Sequence, residues 1–355
     1  MAISNETRTA SGSTVKAAII GGAGFSGLEL MHILSRHPHV EIGMVTSTKY
    51  AGRRVSDAFP EFKGLPHTFS KNDASVDGCD VAFLAIPNKA SLEWAPKLLD
   101  RGMKVIDLSG VFRIPDIAVF QEFYKLEHTA PQALKEAVFG LPEAYREVIR
   151  KARLVANPGC YPTGALLGLL PFGEHLGQLA APPIIDAKSG VTGAGGRVED
   201  DSTNFMEVHD NFKAYKIFGH QHMPEIQHHL EQSTPYKAAK QGAVVFTPHL
   251  LPVARGILTS IVLRFKKPLD AAAIRQRFAD FAAREPFVTL LSAGESPDLK
   301  MVRYRNECVV SLHHDAAAET WIVMTAIDNI VKGASGQAVQ NLNLMYGWDE
   351  TAGLV

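Results

Sequence analysis

Cys160 stands in the stretch A-N-P-G-C-Y-P-T-G, at the end of an apolar run (Leu154–Ala156) and just before a helical pattern that begins near Thr163. A thiol at a helix start meets unpaired backbone N–H groups and the positive end of the helix dipole. Both favour the thiolate and make the sulfur a nucleophile. The flanking prolines and glycine fix the turn, a constraint that a merely buried cysteine does not require. Cys79, after Asp77-Gly78, and Cys308, beside a strand pattern, lack this context and read as small buried hydrophobes.

A second chemical signal is Gly22-Ala23-Gly24-Phe25-Ser26-Gly27, a G-x-G-x-x-G run preceded by Gly21. It lies between a strand pattern and a helix pattern, the setting in which such glycines permit a tight turn and a close approach to a pyrophosphate. The helix N-terminus then holds the phosphate charge. Folds that choose NAD place a carboxylate at the end of the second strand. Here that place reads Thr46-Ser47-Thr48-Lys49, with Arg53 and Arg54 beyond, and hydroxyls with cations suit the extra phosphate of NADP. The cofactor-binding candidates are Gly22, Gly24, Phe25, Ser26, Gly27, Ser47, Lys49, Pro87, Ser189, Gly190 and Asn329. Ser189, Gly190, Gly193 and Gly195 read as an amide-rich loop able to line a nicotinamide or bind a leaving phosphate.

Arg113 follows the run Ile106-Asp107-Leu108-Ser109 and is placed to grip a carboxylate or phosphate at the carboxyl end of a parallel strand, with Arg255 as a second candidate. Ser109 and Asn157, the latter three residues before the cysteine, complete the substrate-binding set. Tyr236 and Lys240 satisfy the Y-x-x-x-K spacing of short-chain dehydrogenases, but they sit among polar residues and far along the chain from the glycine turn, so they read as a polar loop.

These groups require a scaffold. Val15–Ile20, a helical pattern from Phe25 to Arg36, and the run from Val40 form a βαβ start; Val81–Ile86, a helix over Lys89–Arg101 and Val105–Leu108 continue the alternation. That predicts an α/β, Rossmann-like, doubly wound parallel sheet. After Asn157 strands dominate: a helix over Thr163–Phe172, then Ile184–Lys188, Ala243–His249, Ile257–Phe265, Val309–His313 and Trp321–Ile327. They predict an α+β domain with a mixed or antiparallel sheet. A Gly-interrupted helix at the end reads as a return to the first domain.

The expected division is 1–14 as a disordered extension, 15–157 completed by 329–355 as the NADP-binding domain, and 158–328 as the catalytic and oligomerisation domain. A length of 355 residues with 46% hydrophobic and 21% charged residues accommodates two such domains. Lys and Arg number 36 against 37 Asp and Glu, so no basic field gathers nucleic acid or anionic lipid, and a small-molecule substrate is expected. Three widely spaced cysteines argue against a disulfide framework, and no apolar run is long enough to span a bilayer; a cytoplasmic protein is expected.

The motifs N-P-G-C-Y-P-T around Cys160, K-S-G-V-T-G-A-G at 188–195, G-H-Q-H-M-P-E-I at 219–226, P-H-L-L-P-V-A-R-G-I at 248–257 and D-N-I-V-K-G-A-S-G-Q-A-V-Q-N at 328–341 occur in this order. With D-L-S-G-V-F-R at 107–113 and the glycine fingerprint they cover the chain from about residue 15 onward. The sequence thus resembles the N-acetyl-gamma-glutamyl-phosphate reductases. Aspartate-semialdehyde dehydrogenases look similar in architecture but carry asparagine directly before the cysteine, where Pro158-Gly159 intervene here. Lysine-pathway relatives acting on carrier-bound aminoadipyl or glutamyl phosphates share most of the motifs.

The resemblance implies NADPH, Cys160 as nucleophile, His220 or His222 as acid/base, and a homo-oligomer, dimer or tetramer. Relatives often carry Asp or His at Asn88, Arg at Thr48, and Ala-Asp at Gly110-Val111. The implied chemistry is displacement of phosphate by the thiolate, hydride delivery to the thioester and collapse to an aldehyde. His228 and His229 read as solvated helix-surface residues. Without an H-E-x-x-H or paired C-x-x-C, the cluster with Glu225 is expected to hold no metal. A non-catalytic NADP sensor would keep the glycine turn but has no use for the setting of Cys160.

Overall fold

The computed structural model describes residues 14–194 and 208–355. The expected extension over 1–14 lies, but for residue 14, outside the described residues, as does Gly195.

Six strands form the first sheet: β1 (Val15–Ile20), β2 (Val40–Val45), β3 (Val81–Leu84), β4 (Lys104–Asp107), β5 (Val138–Phe139) and β6 (Leu154–Ala156). Their order is β2-β1-β3-β4-β6-β5, and every pairing is parallel. The strands are short apolar runs because helices cover both faces. Ala17 and Ile19 face one core with α1 (Phe25–Leu34); Ala18 and Ile20 face the other with α3 (Asn88–Asp100), α4 (Ile117–Tyr124) and α5 (Pro131–Glu136). Two further helices of this half are α2 (Val55–Ala58) and α6 (Pro142–Ile149).

The second sheet has seven strands: β7 (Ile184–Gly190), β8 (Lys213–Ala214), β9 (Val245–Leu251), β10 (Ile257–Arg264), β11 (Val288–Leu290), β12 (Cys308–Asp315) and β13 (Thr320–Ile327). It is mixed, in the order β11-β12-β13-β10-β7-β9-β8, with parallel β7·β9 and β11·β12 and antiparallel pairings elsewhere. The period of two along β9 and β10 turns alternate residues into a core shared with α7 (Cys160–Leu169), α8 (His222–Ser233) and α10 (Ala271–Arg284). The short α9 (Ala238–Gln241) closes the turn before β9.

Several local expectations are corrected. The helix expected over Thr163–Phe172 begins at Cys160 itself, because Gly159 is extended and serves as its N-cap; it gives way to 3-10 turns over Leu170–Gln178. Ser189 and Gly190 are not a loop but the end of β7. Tyr236 is no polar-loop residue: its ring is buried in the second core and its hydroxyl donates to the Gly242 carbonyl, while Lys240 is exposed.

The chain then returns to the first sheet. A π-helical turn (Val331–Ser335) leads into α11 (Gly336–Tyr346), whose Ala338, Val339, Leu342 and Leu344 join the core of β1 and α1. Among the described residues no helix is long and apolar enough to cross a membrane.

Candidate active site

In the first sheet, β1 and β3 lie side by side while β2 is reached in the opposite direction, so the carboxyl ends of β1, β3, β4 and β6 open a crevice where the winding reverses. The segments that follow these four strands, Gly24–Gly27, Ala85–Asn88, Leu108–Arg113 and Asn157–Cys160, line one cleft of about 370 Å³. Its far wall comes from the second half and the returning chain: Thr192, Gly193, Gln221, His222, Asn329, Gly333 and Ala334.

The glycine turn fits a pyrophosphate. Gly24 caps α1 with no side-chain hydrogen bond, which leaves the first-turn N–H groups open. A Cβ on Gly27 would overlap the Gly21 carbonyl and the Gly22 backbone, so only glycine lets the helix start this close to β1. Gly24, Phe25, Ser26 and Gly27 line the cleft, as do Pro87 and Asn329. Gly22 does not; its N–H is spent on the Thr46 carbonyl at 2.8 Å. At the end of β2, Ser47 Oγ accepts from the Tyr50 N–H (3.2 Å), and Lys49 and Arg53 flank the Tyr50 ring. Ser47 and Lys49 sit at this outer turn and not on the cleft. Ser189 and Gly190 are also off its wall, where Thr192 and Gly193 stand in their place.

Cys160 is the first residue of α7, half-buried at the foot of the cleft. Gly333 of the π-turn packs on it so closely that a Cβ there would lie 2.8 Å from the cysteine Cβ. Against expectation, burial raises the thiol to about 11; the Arg113 charge and the Tyr161 N–H pull it down, and Glu225 raises it. In the free protein burial thus holds the group as a thiol.

Of the two candidate histidines, His222 is the one at the cysteine turn. Its ring lies against Gly159, where a Cβ would come 2.5 Å from Nε2, and it lines the cleft. His220 lies behind it, with ring centroids 4.7 Å apart and its Nδ1 accepting from the His222 N–H at 3.1 Å, and it is not on the cleft wall. Burial lowers both, His220 to about 3 and His222 well below its ordinary value, the latter helped by His220 and the Arg113 charge. Both imidazoles are therefore neutral near pH 7.

Arg113 is buried. Its guanidinium donates to the Leu108 carbonyl (2.9 Å) and faces Glu225 at 3.5 Å. Glu225, fully buried, also accepts the Gly159 N–H at 2.8 Å and so holds the cysteine turn to α8. Burial raises its carboxyl, against the pull of Arg113 and the Gly159 N–H. The signal for Glu225 is its i,i+3 spacing from His222, which puts both on one helix face.

Asp107, at the end of β4 and 0% exposed, takes Ser91 Oγ (2.6 Å) and Ser109 Oγ (2.7 Å) and fixes the Ser109 turn. The Asn157 amide donates to Ala334 O (3.0 Å) and accepts from Asn341 (3.1 Å), tying the cleft floor to the returning chain. Tyr124 also lines the cleft, and no spacing in the sequence marks it.

Two residues stand apart from where the sequence put them. Arg255 is outside this cleft, held between Glu29 (2.5 Å) and Asp328 (3.5 Å). His229 is not solvated but buried: it stacks on Phe139 at 3.4 Å and its Nε2 donates to the Arg113 carbonyl at 2.9 Å.

Residues 16–152 match the family model for the NAD-binding domain of semialdehyde dehydrogenases, and residues 160–329 the model for their dimerisation domain. The chain is 45% identical to an N-acetyl-gamma-glutamyl-phosphate reductase of Laribacter hongkongensis (strain HLHK9) over 343 residues, which is 96% of this chain and 98% of the relative. A protein of the same name from Nitrosospira multiformis is 43% identical, with coverage of 95% and 97%. In fold, the chain is similar to aspartate semialdehyde dehydrogenase II of Vibrio cholerae complexed with ASA, with a TM-score of 0.71 at 17% identity covering 94% and 98% of the two chains. It is similarly like the Candida albicans enzyme with NADP, at a TM-score of 0.70, 17% identity and the same coverage. The chain belongs to the N-acetyl-gamma-glutamyl-phosphate reductase family of the semialdehyde dehydrogenases.

Proposed function

We propose that this chain reduces N-acetyl-gamma-glutamyl phosphate to N-acetylglutamate 5-semialdehyde with release of inorganic phosphate, using NADPH. The observation that carries this reading is the placement of Cys160 at a helix start, at the foot of a cleft whose other walls hold the glycine turn, Arg113 and His222.

Cys160 Sγ attacks the acyl carbon, a C–S bond forms and the C–O bond to phosphate breaks, leaving a thioester on the chain. Because burial disfavours both a free thiolate and an imidazolium, His222 takes the thiol proton as the C–S bond forms. His220 packs its ring beside that of His222, and its Nδ1 accepts the His222 backbone N–H. Arg113, with Ser109 and Asn157 beside it, holds an anionic group of the substrate.

Gly24–Gly27, Pro87 and Asn329 would hold the nicotinamide cofactor, which when bound would supply the hydride that reduces the thioester carbon. His222 returns its proton to the hemithioacetal oxygen as the hydride arrives. It then takes the hydroxyl proton and passes it to sulfur, and the C–S bond breaks to give the aldehyde and the thiol. Hydroxyls and cations at 46–54 favour NADP(H) over NAD(H). The cofactor half is residues 15–157 completed by 329–355, the catalytic half is 158–328, and the latter carries a homo-oligomer contact, dimeric or tetrameric.

The test is the reverse reaction: NADP+ reduction with N-acetylglutamate semialdehyde, with and without inorganic phosphate, followed by the near-ultraviolet absorbance of NADPH. Strictly phosphate-dependent turnover is expected. No turnover, with NADPH still bound, overturns this substrate assignment and points to a carrier-bound acyl phosphate.

A further inference from the structure

Tyr124 ends α4, and Lys125 turns left-handed (φ 53°) immediately after it, so the ring sits at a fixed helix terminus. It stacks on Phe120 with centroids 4.7 Å apart and planes 19° from parallel. Phe120 in turn meets the His128 ring edge-on at 5.0 Å, and His128 Nε2 donates to the Val111 carbonyl at 2.9 Å. This column clamps α4 onto the segment 109–113 that forms one wall of the cleft. The Tyr124 hydroxyl reaches across Gly110, where any Cβ would overlap it, and the residue lines the same cleft as Arg113, Ser109 and Cys160.

In that position the hydroxyl is buried and has no partner within the protein. The same holds for Arg113 Nε, whose guanidinium is otherwise engaged by Glu225 and the Leu108 carbonyl. Buried polar groups are nearly always satisfied, so these two donors, joined among the cleft-lining residues by an unpartnered His222 Nδ1, call for a partner from outside the protein. An arginine N–H can only donate, and burial raises the phenol so that it keeps its proton and donates too. Two unpartnered donors on residues of one cleft, one of them cationic, suit an acceptor with negative charge.

The geometry points to Tyr124 as a substrate-binding residue whose hydroxyl, together with Arg113, grips an anionic oxygen of the acyl-phosphate substrate, either a carboxylate or the phosphate itself. This rests on the acyl-phosphate reductase reading above. The aromatic column fixes the ring before substrate arrives, so little rotamer freedom is lost on binding. Gly110 is the position that lets the hydroxyl through.

Tyr124→Phe removes one unpaired oxygen and keeps the stack. Its melting temperature without ligand is expected to equal the wild-type value or exceed it, because no hydrogen bond within the protein is lost. In the reverse reaction the KM for one anionic reactant rises by about ten- to hundred-fold, as for a hydrogen bond to a charged acceptor, with the KM for NADP+ unchanged and kcat little altered. A rise for the semialdehyde assigns the carboxylate, and a rise for inorganic phosphate assigns the phosphate. Gly110→Ala, which displaces the hydroxyl, reproduces the same KM change.

Both KM values within about twofold of wild type, or a ligand-free melting temperature several degrees lower, would overturn the assignment. Should wild type show no phosphate-dependent turnover, the functional reading falls, but this one is still tested by the rise in melting temperature with inorganic phosphate or N-acetylglutamate. That rise is present in wild type and lost in Tyr124→Phe if the hydroxyl grips an anion. An equal rise in both proteins, or none in wild type, overturns it.

Discussion

Replacing Arg113 by Met removes one partner of an ion pair whose side chains are 8% and 0% exposed. Glu225 is then left, fully buried, with a single hydrogen bond from the Gly159 N–H at 2.8 Å. Breaking a buried pair from one side costs on the order of 3–5 kcal/mol, and the open 3.5 Å separation places this pair at the lower end, about 3 kcal/mol. For a cooperative unit of 150–250 residues that is a drop of roughly 6–12 °C in melting temperature.

The loss depends on pH, and its sign follows from Glu225. Burial already raises its folded carboxyl above the unfolded value, Arg113 opposes that rise, and the variant lacks the opposition. A raised acid binds more protons folded than unfolded, so stability falls as pH climbs through the interval between the two values. The variant should therefore lose most at about pH 8 and distinctly less at about pH 5, where Glu225 can take up a proton. Thermal unfolding of both proteins at the two pH values measures this. Arg113→Met with Glu225→Gln should recover much of the loss, because no orphaned charge remains. An equal deficit at both pH values, or one below about 1 kcal/mol, would refute the account of Glu225 as a carboxylate held by Arg113.

Cys160→Ala should abolish turnover while NADPH still binds; retention of more than about a tenth of the wild-type rate, some 1.4 kcal/mol of barrier, removes the thioester from the mechanism. Because burial lowers His222 and raises the Cys160 thiol to about 11, kcat/KM should be flat from about pH 6 to pH 9. A limb near 6.5 that disappears in His222→Asn would show that the imidazole is more solvated than the cleft makes it. NADP+ should exceed NAD+ in kcat/KM, and Lys49→Ala together with Arg53→Ala should narrow the gap; equal values in wild type would refute the reading of the turn after β2.

Much of this arrangement was legible in the sequence. The alternation of short apolar strands and amphipathic helices specified the parallel sheet, since burial on both faces makes β3 wholly apolar and confines the polar residues of β1 and β4 to Lys16, Lys104 and Asp107. Cys160 and the glycine turn were visible because each combines a residue type with a backbone requirement. Tyr124 was not, because its role depends on a tertiary meeting of α4 with the segment after β4.

His229 and Arg255 were misread for the opposite reason. A histidine on a mid-helix position and an arginine after a strand look solvent-facing or ligand-facing until the packing of Phe139 or the positions of Glu29 and Asp328 are known. The thiol acidity was misjudged because a helix start argues for thiolate while burial, which sequence does not display, argues against it.

The return of the chain to the first sheet has a consequence for biosynthesis. The glycine turn at 21–27 and Cys160 emerge from the ribosome well before the π-turn whose Gly333 packs on the cysteine, and before the helix that fills the core beside α1. A nascent chain halted at residue 330 holds every group named in the thioester chemistry yet has neither a closed cleft nor a finished cofactor half. Activity is therefore withheld until the segment 331–346 has been made. Cutting the gene between the two sheets would yield two pieces that each lack part of their own core, where a cut in a domain-by-domain architecture would leave two that fold alone.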